Sequence, residues 1–106
     1  MTDRPWGVVF TADASKQVDA IHAWWTANRE AAPTLFVDEL SGALDRISRL
    51  PGTGAPFASR AVPGLRRALL PRCRYHVYYT VHSARREVIV RAVWHAARGQ
   101  GPEFDR

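Results

Sequence analysis

Apolar positions along this chain follow two different periods. Residues 6 to 11, WGVVFT, form a compact β-branched and aromatic run that predicts a first strand. Beyond it Ala14, Val18, Ile21 and Trp25 recur at spacings of four, three and four, the stripe of an amphipathic helix. Thr11 is placed to cap that helix, and Asp13 falls in its first turn, where the helix dipole favours an anion. The helix is expected to end near Asn28. Pro33 suits the first turn of a second helix, whose stripe runs through Phe36, Leu40, Ala43, Leu44, Ile47 and Leu50 up to Pro51. The short polar link between the two predicts an antiparallel hairpin with one shared apolar face. Residues 52 to 64, GTGAPFASRAVPG, are dense in glycine and proline and predict a loop.

After that loop the period shortens to two. LRRALL (65–70), RYHVYYTV (74–81) and EVIVRAVWH (87–95) are strand-like runs joined by the links PRC and HSARR. Links of that length require antiparallel neighbours. The expected fold is α+β with order β-α-α-β-β-β, a helical hairpin packed on one face of a small, mostly antiparallel sheet. Residues 1–98 make a single domain, and GQGPEFDR (99–106) reads as a loose polar tail.

Alternation sorts the strand residues by face. Tyr75, Val77, Tyr79 and Val81 are expected to face the helices, and His76, Tyr78, Thr80 and His82 to face outward. On the last strand Arg91 and His95 fall with Ile89 and Val93, opposite Val88, Val90, Ala92 and Trp94. Both sets are largely apolar, so the buried face stays open. Trp24 and Trp25 stand about 100° apart on a helix; Trp25 is assigned to the core and Trp24 to the hairpin flank.

Charge changes the picture through its distribution. Residues 1–56 hold five basic and seven acidic side chains, and residues 57–106 hold ten and three, so the second half is set for an anionic partner. Fourteen of the fifteen basic residues are arginine, whose planar fork fits phosphate or carboxylate, so RNA, DNA and an acidic peptide all qualify. Arg66, Arg67, Arg72 and Arg74 form the densest group. Apolar and charged fractions of 46% and 24% exclude disordered and collagen-like classes. No apolar run approaches the ~20 residues of a membrane span, and MTDRPW lacks the features of a signal peptide, which gives a cytoplasmic expectation. The single cysteine, Cys73, has no internal disulfide partner and is expected to be a buried thiol. One cysteine and four scattered histidines lack the spacings of a metal site, and GTGAP lacks the lysine of a phosphate loop, so neither metal nor cofactor is expected.

Taken in order, these pieces resemble the RelE/ParE superfamily of bacterial type II toxins, the plasmid-stabilisation proteins. The resemblance spans roughly residues 6–98. It is carried by the aromatic pair Trp24 and Trp25, by RISRLPGTG at the end of helix two (Ile47 to Gly54 in the place of Leu-x-x-x-Pro-x-x-Gly), by GLRRALL, by Arg74, Tyr75, Val77 and Tyr79 in Arg–Tyr–x–Val–x–Tyr, and by His95 and Arg98 in a closing His-x-x-Arg. It implies a cognate antitoxin as partner in a hetero-oligomer, and one of two targets. ParE-like members poison DNA gyrase; RelE-like members are metal-independent nucleases that cut messenger RNA on the ribosome. A nuclease here would draw its proton-transfer and charge-stabilising groups from His76, Tyr78, Arg91 and His95. The loop after helix two holds only Arg60 among basic residues, Pro71 stands near the place of a strand-end arginine, and Ala96 and Ala97 follow His95, so that cluster is incomplete and the ParE branch is favoured. The partner surface is then expected at Arg66, Arg67, Arg72, Arg74, His76, Tyr78, His95 and Arg98. A plain basic nucleic-acid-binding module is the third reading.

Overall fold

The structure, a computed structural model, describes residues 4–97 and 101–104. Its elements are β1 (Gly7–Phe10), α1 (Ala12–Asn28), α2 (Leu35–Arg49), β2 (Ala55–Pro56), β3 (Arg66–Leu70), β4 (Tyr75–His82) and β5 (Glu87–His95), with short 3-10 turns at Pro51–Thr53 and Ser83–Arg85. Thr11 both closes β1 and opens α1. Its backbone N–H donates to the Val90 carbonyl at 3.0 Å, and its hydroxyl oxygen accepts from the Ala14 N–H at 3.1 Å as an N-cap. Pro51 ends the second helical pattern where expected, because it has no N–H to continue the ladder.

The five strands run in the order β1-β5-β4-β3-β2. The three-strand meander is antiparallel as the short links require, whereas β1 joins the far side of β5 in parallel. β2 is a two-residue strand inside the segment expected to be loop, paired to β3 through Ala55 and Pro56.

The helices seal one face. Phe36, Leu40, Ala43 and Ile47 of α2 meet Leu70, Val77, Tyr79, Val88, Val90 and Val93 of the sheet. Burying a large apolar side chain of this kind stabilises by about 1.5–3 kcal/mol relative to exposure. α1 contributes less: its fully buried residues are Ala14 and Trp25, and Val18 and Ile21 are half-buried. Trp25 is core and Trp24 is 45% exposed, as the spacing predicts. Leu50, assigned to the stripe of α2, is instead exposed just past the helix end.

The open question of β5 is answered by a β-bulge. Tyr78 pairs with Ala92 and Tyr79 with Val90, which leaves Arg91 as the extra residue on β5. Alternation slips there, so Val88 and Val90 before the bulge and Val93 after it all face the helices. Arg91 and His95, which strict alternation puts on one face, are therefore separated. Arg91 Nε donates to Thr80 Oγ1 at 2.9 Å on the open face, and His95 stands opposite Tyr75, ring centroids 5.0 Å apart, on the helix face. The N-terminal turns of α1 hold the bulge: Gln17 Oε1 accepts from the Val93 N–H at 2.8 Å, and the Thr11 hydroxyl donates to the Arg91 carbonyl at 3.4 Å.

The second face of the sheet is only partly open, which corrects the expectation of an uncovered side. Phe57 and Val62 of the glycine-rich segment and Leu65 just after it pack over its middle, and Phe104 joins them. Tyr78, expected outward, is 2% exposed beneath Phe57 and Phe104, with ring centroids 5.3 and 6.1 Å away. Residues 101–104 thus lie back on the sheet, where the sequence suggests a loose tail.

Candidate functional site

Two locally built pieces set the geometry around the basic residues. The first ties the end of α2 to the sheet. The Tyr79 hydroxyl donates to the Pro51 carbonyl at 2.8 Å and accepts from the Gly54 N–H at 2.7 Å, while Arg66 Nη1 donates to the Gly52 and Gly54 carbonyls at 3.2 and 2.7 Å. The Pro-x-x-Gly piece and the Tyr79 piece of the sequence meet at one hydroxyl. Arg66, read from sequence as a partner-binding residue, spends its guanidinium on these carbonyls.

The second piece is the β3–β4 turn, Pro71 to Arg74. Arg74 takes the left-handed conformation with φ +67° and donates its N–H to the Leu70 carbonyl at 2.8 Å. The Glu39 carboxylate braces the turn from α2, accepting the Arg72 and Cys73 N–H groups at 2.9 Å each and bonding the Cys73 thiol. Burial opposes the Glu39 charge, but the thiol and the two N–H donors outweigh it and lower its pKa. Burial, then the hydrogen bond and charge of Glu39, push the Cys73 thiol up to about 12, so Cys73 is a buried, inert thiol. The turn leaves Arg72 and Arg74 exposed.

Between these pieces lies the uncovered part of the second sheet face. Leu69, His76 and Trp94 are cross-strand neighbours in one row over β3, β4 and β5, and Leu69 is 41% exposed. Arg67 flanks the row with its guanidinium 4.7 Å over the Phe57 ring. Burial first, then the charges of Arg67 and Arg74, lower the pKa of His76 below its ordinary value. The shift favours the neutral imidazole. Replacing Arg74 by glycine, which suits the left-handed turn, is expected to move the His76 titration back upward in an NMR pH series; an unmoved titration would remove Arg74 from its surroundings.

The structure thus brings Arg67, Arg72, Arg74 and His76 to one region. It does not bring together the four nuclease candidates: His76 lies on the open face, Tyr78 is buried beside it with ring centroids 6.0 Å apart, Arg91 is engaged by Thr80, and His95 lies through the sheet on the other side. Arg98 lies outside the described residues. Among the described residues no group of three metal-ligating side chains occurs, and no helix is long and apolar enough to cross a membrane.

His95 belongs to a different feature, a groove of about 500 Å³ between α1 and the end of β5, lined by Ala20, Ile21, Trp24, Tyr75, Val93 and His95 among others. Sequence reasoning missed this groove and the bracing role of Glu39. The signals were present: Trp24 is a large apolar residue off the stripe of α1, and Glu39 is a carboxylate set between apolar positions of α2. Phe57 and Val62 were equally visible as large apolar residues inside a loop.

Comparison with known proteins adds the family. The family described as ParE toxin of the type II toxin–antitoxin system parDE matches residues 8–99. Curated protein sequences return no match. Among solved structures, the chromosomal ParDE system from P. aeruginosa superposes with a TM-score of 0.67 at 19% identity, covering 85% of this chain and 95% of that one. The RelBE2 toxin–antitoxin complex from Mycobacterium tuberculosis gives 0.63 at 22% identity over 89% and 94%. The isolated E. coli RelE toxin gives 0.60 at 20% identity over 90% and 88%. At these identities the superpositions speak for the fold, a helical hairpin on one face of an open five-stranded sheet, and the family match, spanning nearly the whole of that fold, supplies the assignment. The chain belongs to the ParE toxin family of type II toxin–antitoxin systems.

Proposed function

We propose that this toxin acts in the cytoplasm by binding and inhibiting DNA gyrase, and that an acidic antitoxin holds it silent in a hetero-oligomer. The observation that carries the choice of target is the dispersal of His76, Tyr78, Arg91 and His95 over two faces of the sheet, one of them buried. Cleavage through a 2′-hydroxyl needs a base and an acid within hydrogen-bond reach of one phosphate. What remains on the open face is a binding surface: Arg67, Arg72 and Arg74 around Leu69, His76 and Trp94. Such a surface suits capture of a protein–DNA complex. The structural neighbours include a ParDE system and a RelBE2 toxin–antitoxin complex, which supports an antitoxin as partner.

A RelE-like nuclease is the second reading, favoured by one observation. Burial and the charges of Arg67 and Arg74 favour the neutral form of His76, an arrangement of a base next to anion-binding cations. One paired assay separates the readings. The protein is mixed with gyrase, supercoiled DNA and ATP, and in parallel with translating ribosomes and messenger RNA. Loss of supercoiling or trapped cleaved DNA, weakened at least tenfold by the double replacement Arg67→Glu and Arg74→Glu, is the expected result. Message cleavage that His76→Ala abolishes, with gyrase unaffected, overturns it.

A further inference from the structure

The second sheet face continues beyond the ridge that Phe57, Val62 and Phe104 build over Tyr78. There Thr80, His82, Ile89 and Arg91 line a cavity of about 300 Å³, with Val62 and Pro63 of the loop as its wall. That wall is held by its own bonds: the Val62 N–H donates to Ser59 Oγ at 3.1 Å, and the Phe57 N–H donates to the Leu65 carbonyl at 2.9 Å. Arg91 is the extra residue of the β5 bulge, a kind of position that re-aims a side chain. Thr11 bonds its carbonyl and Gln17 bonds the Val93 N–H two residues on, so the backbone that carries this guanidinium is fixed from α1.

Every polar side chain lining this cavity has a hydrogen left to donate. Arg91 uses Nε on Thr80 Oγ1 at 2.9 Å, which fixes the plane of its guanidinium, and its two Nη groups have no partner among the described residues. Thr80, 8% exposed, accepts that bond and keeps its own hydroxyl proton for another acceptor. His82 accepts the Arg85 N–H on Nδ1 at 3.3 Å, so Nε2 carries the proton of its neutral ring. Thr80 and His82 stand two residues apart on β4, on one face and about 7 Å from each other. No acidic residue lines the cavity. Glu87, cross-strand from His82, has its carboxylate 3.9 Å from Arg85. Asp13 and Glu103 line a neighbouring recess that shares Val62 and Arg91 with this one, and among the described residues neither forms an ion pair with Arg91.

Three donor groups without a carboxylate among them select an anion with several oxygens. A carboxylate offers two oxygens, whereas a phosphate ester offers three and accepts the planar Nη fork of an arginine in bidentate fashion. The cavity is larger than a phosphate alone fills and lies at the small end of the range for ligand pockets. Val62, Pro63 and Ile89 give it an apolar side for the rest of the ligand. We propose that this cavity binds the phosphate of a nucleotide, with Arg91, Thr80 and His82 as donors and the sugar or base against the apolar wall. A free nucleotide and one unit of a single strand carry the same phosphate, and the experiment below separates them. The site is distinct from the patch around His76, which lies six residues back along β4, about 20 Å from His82. It does not depend on gyrase being the target.

The test titrates the full chain, followed by amide NMR at constant ionic strength. The probes are thymidine, thymidine 5′-monophosphate, inorganic phosphate and a short thymidine oligonucleotide without terminal phosphates. The monophosphate is expected to shift the amides of Thr80, His82 and Arg91 saturably, at least tenfold more tightly than thymidine. Arg91→Gln is expected to weaken it at least tenfold, as loss of a bond to a charged group does, and Thr80→Val, by releasing the guanidinium, at least threefold. Arg67→Glu, at the other end of the face, is expected to change it less than twofold. Unmoved amides in both helices show that a variant keeps the fold; should Arg91→Gln not fold, His82→Ala at its exposed position gives a separate loss of at least threefold. An oligonucleotide that shifts these amides more tightly than the monophosphate identifies a strand as the source of the phosphate. One that shifts them no more tightly, or not at all, identifies the free nucleotide. Equal binding of thymidine and its monophosphate, amides unmoved by every phosphate-bearing probe, or full binding by Arg91→Gln overturns the proposal. Gyrase plays no part in this titration, so the proposed target stands or falls separately.

Discussion

Gly54→Ala is expected to destabilise the protein by about 1–3 kcal/mol for overpacking, with a further loss from the hydrogen bonds it displaces. A β-carbon at Gly54 would lie 2.8 and 2.9 Å from Tyr79 Cε1 and Cζ, inside van der Waals contact and against a fully buried ring. The ring cannot retreat, because its hydroxyl is held by Pro51 and Gly54 and its face by Ile47 and Val88. In a domain of this size each kcal/mol lowers the melting temperature by about 4–8 °C. Gly52→Ala is the matched control. Nothing lies within 4 Å of its added β-carbon, so its effect should stay within about 0.5 kcal/mol. Tyr79→Phe should cost about 1–3 kcal/mol by stranding the Gly54 N–H and Pro51 carbonyl. The double variant should cost less than the two losses together, since both act on one contact. Equal melting temperatures for Gly54→Ala and Gly52→Ala would mean that Tyr79 does not clamp the end of α2.

The second large effect is expected at Glu39. Hydrogen bonds to a charged group contribute about 1.5–3 kcal/mol each, less where water competes, as it does at the exposed Arg72 N–H. Glu39→Ala removes such bonds from the β3–β4 turn and should lower stability by about 2 kcal/mol. Acid should act in the same direction. The folded pKa of Glu39 lies below its ordinary value of 4.5, so its contribution is present above pH 4.5 and is lost as the pH falls through the lower, folded value. Denaturation curves from pH 7 to pH 2 should therefore converge for wild type and Glu39→Ala at the acid end. Cys73 reports the same contact independently. With its pKa raised from 9.0 to about 12, its thiolate population at pH 8 drops about a thousandfold, and alkylation should be slow until the protein opens. Faster labelling is expected in Glu39→Ala; a rate equal to wild type, together with an unchanged acid transition, would remove Glu39 as the brace of this turn.

Both clamps bear on function because they aim the arginines. The Tyr79 clamp holds the segment that carries Phe57, over which Arg67 lies, and the Glu39 brace holds the turn that presents Arg72 and Arg74. The basic face is thus built from backbone fixed at two ends, with one arginine, Arg66, used internally for that fixing.

Much of this was legible from local pattern. The stripe of Phe36, Leu40, Ala43 and Ile47, the cap at Thr11, the stop at Pro51 and the inward set Tyr75, Val77 and Tyr79 follow from the periods of helix and strand and are found as read. The candidate site was less legible. Arg72, Arg74 and His76 lie near one another because they fall within five residues of sequence. Tyr78 was read as outward because alternation cannot know that Phe57 and Phe104, 21 and 26 positions away, return to cover it.

What the chain determined by itself is everything set by the spacing of neighbours a few residues apart: two helices, a meander of three strands, an arginine-rich second half, and the order of elements that marks a RelE/ParE-like toxin. What only the tertiary structure decided depends on contacts between distant segments. The parallel docking of β1 on β5, the bulge at Arg91 held by Gln17 and Thr11, the separation of His95 from His76, and the groove beside Trp24 all arise there. The physical reason is that a period of two assigns faces only while the ladder stays in register. One extra residue, stabilised from a helix some 75 positions earlier, reverses the assignment for all that follows.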